Sequence, residues 1–398
     1  MPTASDLFER ARSLAPSLVA TRRDLHRHPE LGFQEFRTAA LVADRLRALD
    51  LPVRTGVGRT GVVAEIVGHP GPTVAVRADM DALPIHQAPD ADADYRSTVD
   101  GVMHACGHDA HTAGLLGTAE LLTAARDAGA LRGTVRLLFQ PCEETVDDEG
   151  LSGASRMIDD GALDGVQAVT GLHVGSNLPS GIAFIAPGPI MGGGEELVMD
   201  VRGRAAHAAF PHEGVDALVL AAQGVVAAQQ AVARRIPPTS AGVVTFGRIE
   251  GGRAANVLAD HVQLVGTLRY FEEPVRDALR DAVRASFAGA AAAGGSAELT
   301  IRPGYPPVVN DPAATDAVTR GLVEQFGRDR VIPMPPVLAS EDFAFLARTV
   351  PGVFFWLGAA LDEPRQHHHP RFDIDESVLP IGATALARAA LSLLDHLA

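Results

Sequence analysis

From residue 196 to residue 301 the chain reads strand, helix, strand, strand, helix, strand, over 196–202, 216–233, 242–250, 261–271, 275–293 and 297–301. That order is the ferredoxin-like α+β arrangement, and it interrupts a different rhythm on either side. Before it, apolar residues at helical spacing (Leu14, Leu18, Leu25, then Leu41, Leu46, Leu49) break around His28-Pro29-Glu30. Strand-like runs at 62–67 and 73–76 follow, with 68–72 as the turn between them. A helix at 113–128 and strands at 133–139 and 166–173 complete this part, and after Tyr305 a helix at 313–325 and a strand at 353–357 resume the alternation. Alternating strands and helices argue for an α/β layer fold, with helices on both faces of a largely parallel sheet. The Gly- and Pro-rich stretches 188–194 and 303–307 read as crossing points between domains. The expected organisation is a discontinuous α/β domain, 1–187 and 304–398, around an α+β insert at 188–303.

Composition removes several classes of function. Acidic residues exceed basic ones, 49 against 34, for a net charge of −15. Such a chain repels polyphosphate, so nucleic acid and anionic membrane surfaces are poor partners. There is no lysine; all 34 basic residues are arginine. Schiff-base chemistry, Ser-x-x-Lys hydrolysis and a P-loop are thereby excluded. Two cysteines, Cys106 and Cys142, make no disulfide framework and suit a reducing compartment. The N-terminus carries charges where a signal peptide needs an apolar run, and apolar runs such as 217–228 are interrupted by Gln and Gly. A cytoplasmic protein with no membrane partner is expected.

Five segments can do chemistry. Met103 to His111 packs a thiol, three imidazoles and a carboxylate into nine residues. Gln140-Pro141-Cys142-Glu143-Glu144 puts adjacent acids just after a strand, and Arg77-Ala78-Asp79-Met80-Asp81 lies at another strand end. His173 closes a third strand, and His367-His368-His369-Pro370 lies near the C-terminus. Ligands of open α/β sheets bind outside the carboxyl ends of the strands, so these clusters can share one crevice. Nitrogen and sulfur donors mixed with carboxylates suit Zn²⁺ or Mn²⁺ better than an all-oxygen Ca²⁺ or Mg²⁺ site. Of two adjacent acids, one can bind metal while the other faces substrate as a general base. Taken singly, Cys142 reads as a small buried hydrophobe, and His26 and His28 as helix-end or surface residues. His69, His86, His261 and His396 read as structural or solvated. Spacing alone leaves the ligand list open.

Taken together, these motifs resemble the M20 metallopeptidase family, in its amidohydrolase branch of aminoacylase-, hippurate hydrolase- and indole-acetyl-amino-acid hydrolase-like enzymes. The resemblance runs through residues 23–31, 77–84, 103–109, 140–144, 203–212, Asn256-Val257, 266–269, 340–343 and 368–370. It implies a zinc-peptidase-like catalytic domain with an inserted satellite domain that often dimerises, so a homodimer or larger oligomer is expected. It implies two divalent ions, zinc or manganese, with cobalt or nickel as alternatives. By the resemblance Cys106 bridges the metals, and His108, Glu144, His173 and His368 complete the ligands. His368 is chosen because the family's ligand lies two residues before the proline. Glu143 becomes the general base, Asp81 the residue that orients a ligand, and His207 the donor to the oxyanion. Asn256 and Arg269 would hold the substrate carboxylate, a task a planar guanidinium suits. The family's peptidases often carry a His ligand where this chain has Asp79, and the amidohydrolase branch commonly has Ala where it has Cys142. The implied reaction is hydrolysis of the amide bond of an N-acyl amino acid by an activated water. A small-peptide metallopeptidase of the dipeptidase or carboxypeptidase type is the alternative. A thiol hydrolase using Cys106 and a non-catalytic metal-binding relative are the remaining readings.

Overall fold

The computed structural model describes residues 4–89 and 94–398. The chain divides into two compact units, one of residues 191–308 and 336–341 and the other of 190 and below, 309–335 and 342 onward. The stretch 336–341 thus belongs to the second unit, an assignment no local pattern announces.

The first unit begins with helix α1 (Ala4–Arg27), whose buried stripe Leu7, Ala11, Leu18 and Leu25 follows helical spacing. It ends before His28-Pro29. Helix α2 (Phe36–Arg47) buries Thr38, Ala39, Val42, Ala43 and Leu46. Glu30 caps it, one carboxylate oxygen accepting from the Arg37 N–H at 2.9 Å and the other from the Thr38 N–H at 2.8 Å. Then come β1 (Val53–Val57), β2 (Gly61–Val67), β3 (His69–Asp79), α3 (His108–Asp127), β4 (Arg132–Gln140), α4 (Gly153–Asp159), β5 (Ala168–Gly175) and β6 (Ala183–Phe184). The turn expected at 68–72 is instead the irregular start of β3, whose pairing with β4 shifts between His69 and Thr73. That bulge lets a strand carry Pro70 and Pro72.

After the connecting β7 (Gly188–Met191) the second unit runs β8 (Gly193–Arg202), α5 (Ala217–Arg235), β9 (Gly242–Gly251), β10 (His261–Tyr270), α6 (Glu273–Ser286) and β11 (Ser296–Pro303). These four strands form one antiparallel sheet in the order β11-β8-β10-β9. Leu197, Met199, Leu264, Leu268, Leu279 and Phe287 belong to the core of this unit. The helix expected over 275–293 breaks after Ser286 and resumes as a single turn at Gly289–Ala292, because Phe287 turns into that core beside Gly224, where even a Cβ would meet its ring at 2.2 Å. The chain closes with β12 (Val308–Asn310), β13 (Val331–Ile332), β14 (Gly352–Gly358) and the helix Leu379–Leu397.

The first unit's sheet has eight strands in the order β1-β2-β4-β3-β5-β14-β6-β13. Its centre, β4-β3-β5-β14, is parallel, while β1-β2, β2-β4 and β14-β6 pair antiparallel. α3 is buried along nearly its whole length, as a helix between a sheet and other helices must be. Among the described residues, Ala217–Arg235 and Glu376–Leu397 are long and apolar enough to cross a membrane, and 83% of the apolar stretch of the second is buried as core.

Candidate metal centre

The strand ends bring the chemistry together. β3 ends on Asp79 with Asp81 just beyond, β4 ends on Gln140 with Cys142, Glu143 and Glu144 following, and β5 carries His173. α3 starts at His108, after Gly107 at φ +93°. A Cβ at Gly107 would lie 2.4 Å from Val174 Cγ2, so only glycine lets Cys106 and His108 close onto β5.

His173 and His108 each have Nδ1 committed and Nε2 turned inward. His173 Nδ1 donates to the Val174 carbonyl at 2.8 Å, leaving Nε2 3.4 Å from Cys106 Sγ. His108 Nδ1 faces the Asp81 carbonyl at 3.0 Å and its carboxylate at 3.1 Å. Its buried Nε2 has no hydrogen-bond partner among the described residues and lies 3.9 Å from Glu144 Oε1. Asp81 does a second task, its Oδ2 accepting the Glu144 N–H at 3.0 Å. Candidate ligand atoms of Cys106, His108 and His173 lie within 4.8 Å of one another. The same holds for Cys106, Glu144 and His368, and for His108, Glu143 and Glu144.

The three consecutive histidines separate cleanly. His367 Nε2 accepts the Ser176 N–H at 3.2 Å, which puts its proton on Nδ1, 3.8 Å from Cys106 Sγ. His368, at φ +58°, points Nε2 at Glu144 Oε1, 3.2 Å away. His369 accepts the Arg371 N–H and is exposed.

Electrostatics follow from this crowding. Burial pushes the Cys106 thiol well up, and Glu144, Glu143 and Asp79 push it further. Burial opposes a charged His108, yet Asp79, Asp81 and Glu144 outweigh it and raise the imidazole to about 10. Burial likewise opposes the Asp79 carboxylate, but His108, Arg77 and His111 hold it well below its usual range. A buried Nε2 without a partner, a thiol and a surplus of carboxylates are what divalent cations satisfy, so the donor set fits metal ions.

A buried scaffold, whose residues lie mostly in the segments named above but whose pairings no local pattern announced, holds these groups. Arg77 binds Asp79 at 2.7 Å, Gln140 at 2.8 Å and Asp342 at 2.8 Å. Asp79 also takes His111 Nδ1 at 2.6 Å, while His111 Nε2 accepts the Val174 N–H at 2.9 Å. Both nitrogens of His111 are thus occupied. Glu143 Oε1 accepts the Asp342 N–H at 3.3 Å. His26 stands at the end of α1, as expected, yet is fully buried there with Nδ1 2.8 Å from Asp109 Oδ2; Asp109 also pairs with the buried Arg22 at 2.9 Å. Glu35 is buried beneath Cys142, and burial together with Asp81 pushes its carboxyl up to about 7. Cys142 is fully buried, as a small hydrophobe would be.

The description "Peptidase family M20/M25/M40" belongs to the family model that matches residues 75–392. The chain belongs to this family. It is 39% identical over 388 residues to the N-acetyl-L-cysteine deacetylase of Bacillus subtilis (strain 168), covering 96% of this chain and 89% of that one. It is also 39% identical over 383 residues to thermostable carboxypeptidase 2 of Saccharolobus solfataricus, covering 94% of each. The crystal structure of the Bacillus subtilis YXEP protein, a dinuclear metal-binding peptidase of the M20 family, superimposes with a TM-score of 0.84 at 34% identity, over 96% of this chain and 99% of that one. The chain is thus an M20 metal-dependent hydrolase of amide bonds, an amidohydrolase or peptidase.

The remaining expected residues of this M20 hydrolase lie in its second unit. His207 and Asn256 sit on exposed neighbouring loops joined by the bridge His207↔Val257 and by the Ala208 N–H donating to the Asn256 carbonyl at 2.9 Å. The Ala209 N–H donates to His207 Nδ1 at 3.1 Å, which leaves Nε2 as a donor on the neutral ring. Arg269 lies opposite Gly194 on β8 and hydrogen-bonds Ser340 Oγ. A Cβ at Gly194 would come within 2.5 Å of the guanidinium. Burial lowers the Arg269 pKa, and among the described residues no carboxylate pairs with it.

Proposed function

We propose that this M20 enzyme hydrolyses the amide bond of N-acyl amino acids, with Cys106, His108, Glu144, His173 and His368 holding two divalent ions. The observation that supports the reading is that these five side chains fall into overlapping groups, Cys106-His108-His173 and Cys106-Glu144-His368, with Glu143 grouped beside His108 and Glu144, and that the buried His108 Nε2 has no hydrogen-bond partner among the described residues. Divalent ions held there supply electrophilic activation of a water and of the scissile carbonyl. Glu143 takes the proton of that water and returns it to the leaving nitrogen. Asp81 orients His108 and the Glu144 backbone, and His207 offers its Nε2–H to the developing oxyanion, an interaction worth several kcal/mol in comparable sites, roughly 3. Asn256 and Arg269 hold the substrate carboxylate; a half-buried guanidinium with no carboxylate paired to it among the described residues supports this role.

The deacetylase among the relatives favours acyl amino acids, and the carboxypeptidase supports a second reading, cleavage of short peptides. A Cys106 nucleophile would instead give chelator-insensitive turnover and covalent labelling by alkylating agents. We assign the second unit as a ferredoxin-like satellite domain through which two copies pair. In its support, the edge strand β9 exposes Val243 and Ile249, and α5 exposes Leu218, Val219 and Val226.

The test is a panel of acetyl-, benzoyl- and longer-acyl amino acids beside dipeptides, run with metal-loaded, chelated and Glu143→Gln enzyme. Turnover of acyl amino acids should disappear on chelation, return with Zn²⁺ or Mn²⁺, and fall by roughly 10³-fold or more in Glu143→Gln at unchanged metal content. Chelator-insensitive turnover, or an active Glu143→Gln, refutes the scheme.

A further inference from the structure

The short segment between α1 and α2, residues 30–35, contributes no group to the reaction set out above, yet it grips both halves of the centre. The Ala82 N–H donates to the Glu30 carbonyl at 2.8 Å, and Leu31 bridges to Ala82, the residue after Asp81. Gly32 lies against Cys142 so closely that a Cβ there would sit 2.7 Å from Sγ and 3.2 Å from the Cys142 Cα. Glu35 is fully buried and forms no ion pair among the described residues. Its Oε1 accepts the Cys142 N–H at 2.8 Å and its Oε2 accepts the Thr60 hydroxyl at 2.5 Å.

Cys142 is the hinge of the catalytic turn. Its φ is +46°, a region that costs an L-residue on the order of 1 kcal/mol or more and persists only where the surroundings enforce it. Beyond this hinge the two acids diverge. Glu143 turns to the Asp342 N–H, while Glu144 gives its own N–H to Asp81 and its carboxylate to His108 and His368. An extended Cys142 would swing both carboxylates off these partners. Burying a carboxylate with no cation beside it is costly, and here its hydrogen bonds go to the hinge and to the Thr60 hydroxyl. We infer that Glu35, backed by Gly32, is a positioning residue: it pins Cys142 in the left-handed conformation that sends Glu143 to the substrate side and Glu144 to the metal side. This rests on the roles proposed above for Glu143 and Glu144.

The experiment compares Glu35→Gln, Glu35→Asp and Glu35→Ala with the unaltered, metal-loaded enzyme. Gln keeps an acceptor oxygen at the same reach without charge; Asp keeps the charge but is one methylene too short for Cys142. The expected result is a fall in kcat of roughly 10- to 100-fold in Asp and Ala, the cost of misplacing a reacting group by about 1 Å, with little change in KM. Gln should stay within about threefold of the parent kcat, less than one factor of ten. Amide hydrogen exchange of the peptide spanning 140–146 should accelerate in Asp and Ala and stay slow in Gln. An active Asp variant beside an inactive Gln variant makes charge the operative property and overturns the inference, as does unchanged exchange in Asp. If Ala does not fold, the Gln and Asp pair decides. If the parent enzyme turns over no substrate of the panel, the functional reading fails on its own, and the exchange comparison still decides whether Glu35 holds the hinge.

Discussion

Arg269 shows what a single residue can reveal. Sequence alone allows it to be an ordinary ion pair on a strand, but the structure gives the half-buried guanidinium a hydroxyl, a glycine cleared to make room and, among the described residues, no carboxylate. A half-buried cation in that condition suits the proposed role of holding the substrate carboxylate. Arg269→Ala should therefore raise KM for carboxylate-bearing substrates roughly 10- to 100-fold, the worth of a charge-assisted hydrogen bond. The matching amides, which lack the carboxylate, should show little change. Equal losses on both, or none on either, would reject the assignment. The three adjacent histidines teach the complementary lesson: identical side chains acquire different tasks from one backbone N–H each, or from its absence.

At the level of elements, the centre is assembled where strands stop. β3, β4 and β5 run parallel, so their C-terminal ends present Asp79, Cys142 to Glu144 and His173 on one rim. α3 starts at that rim and supplies His108 from its first residue. α4 fixes the far side of the Cys142 turn, because its first residue, Gly153, lies against the chain just before the hinge. A Cβ at Gly153 would fall 1.6 Å from the Pro141 carbonyl oxygen, backbone that cannot step aside. Its N–H also donates to the Cys142 carbonyl at 2.8 Å. Gly153→Ala should lower stability by about 3 kcal/mol, the upper range for an overpacked site, and reduce activity of the folded fraction. Thermal unfolding and specific activity per folded molecule check both parts; a fully active, equally stable variant would show that α4 moves freely.

On the scale of the whole molecule, the second unit leaves apolar surface on α5 and along the edge strand β9. An exposed edge invites pairing with another chain, and a second copy brings an identical edge. The most exposed of these residues, Val226, is 70% accessible on α5. A charge there costs the isolated unit almost nothing and a packed interface a great deal. Light scattering should give a dimer for the parent enzyme and a monomer for Val226→Glu, with unaltered thermal stability of the second unit. A parent that runs as a monomer at micromolar concentration would remove this surface from consideration.

Much of this was legible before any fold was known. Period-2 and period-3.6 patterns located most strands and helices of both units, because burial imposes those periods on the chain itself. Clusters such as Met103 to His111 and Glu143-Glu144 already marked where metal-ligating types of side chain gather, and the fold brings Cys106, His108, Glu143 and Glu144 from them into groups whose possible ligand atoms lie within 4.8 Å of one another. What the pattern could not contain was partnership across distance. The pairing of Arg77 with Asp342, of Asp109 with Arg22, and of Glu35 with the Cys142 amide joins segments far apart in sequence, and no local period records it. His26 stands in the last turn of α1, one of the two places expected for it, but its burial was not legible for the same reason: it is made by Asp109 and the packing around it, which belong to other segments. The order of residues therefore determined the elements and the kinds of donor, whereas only tertiary packing decided which nitrogen of each histidine stays free, since that choice is made by a hydrogen bond to a group many residues away.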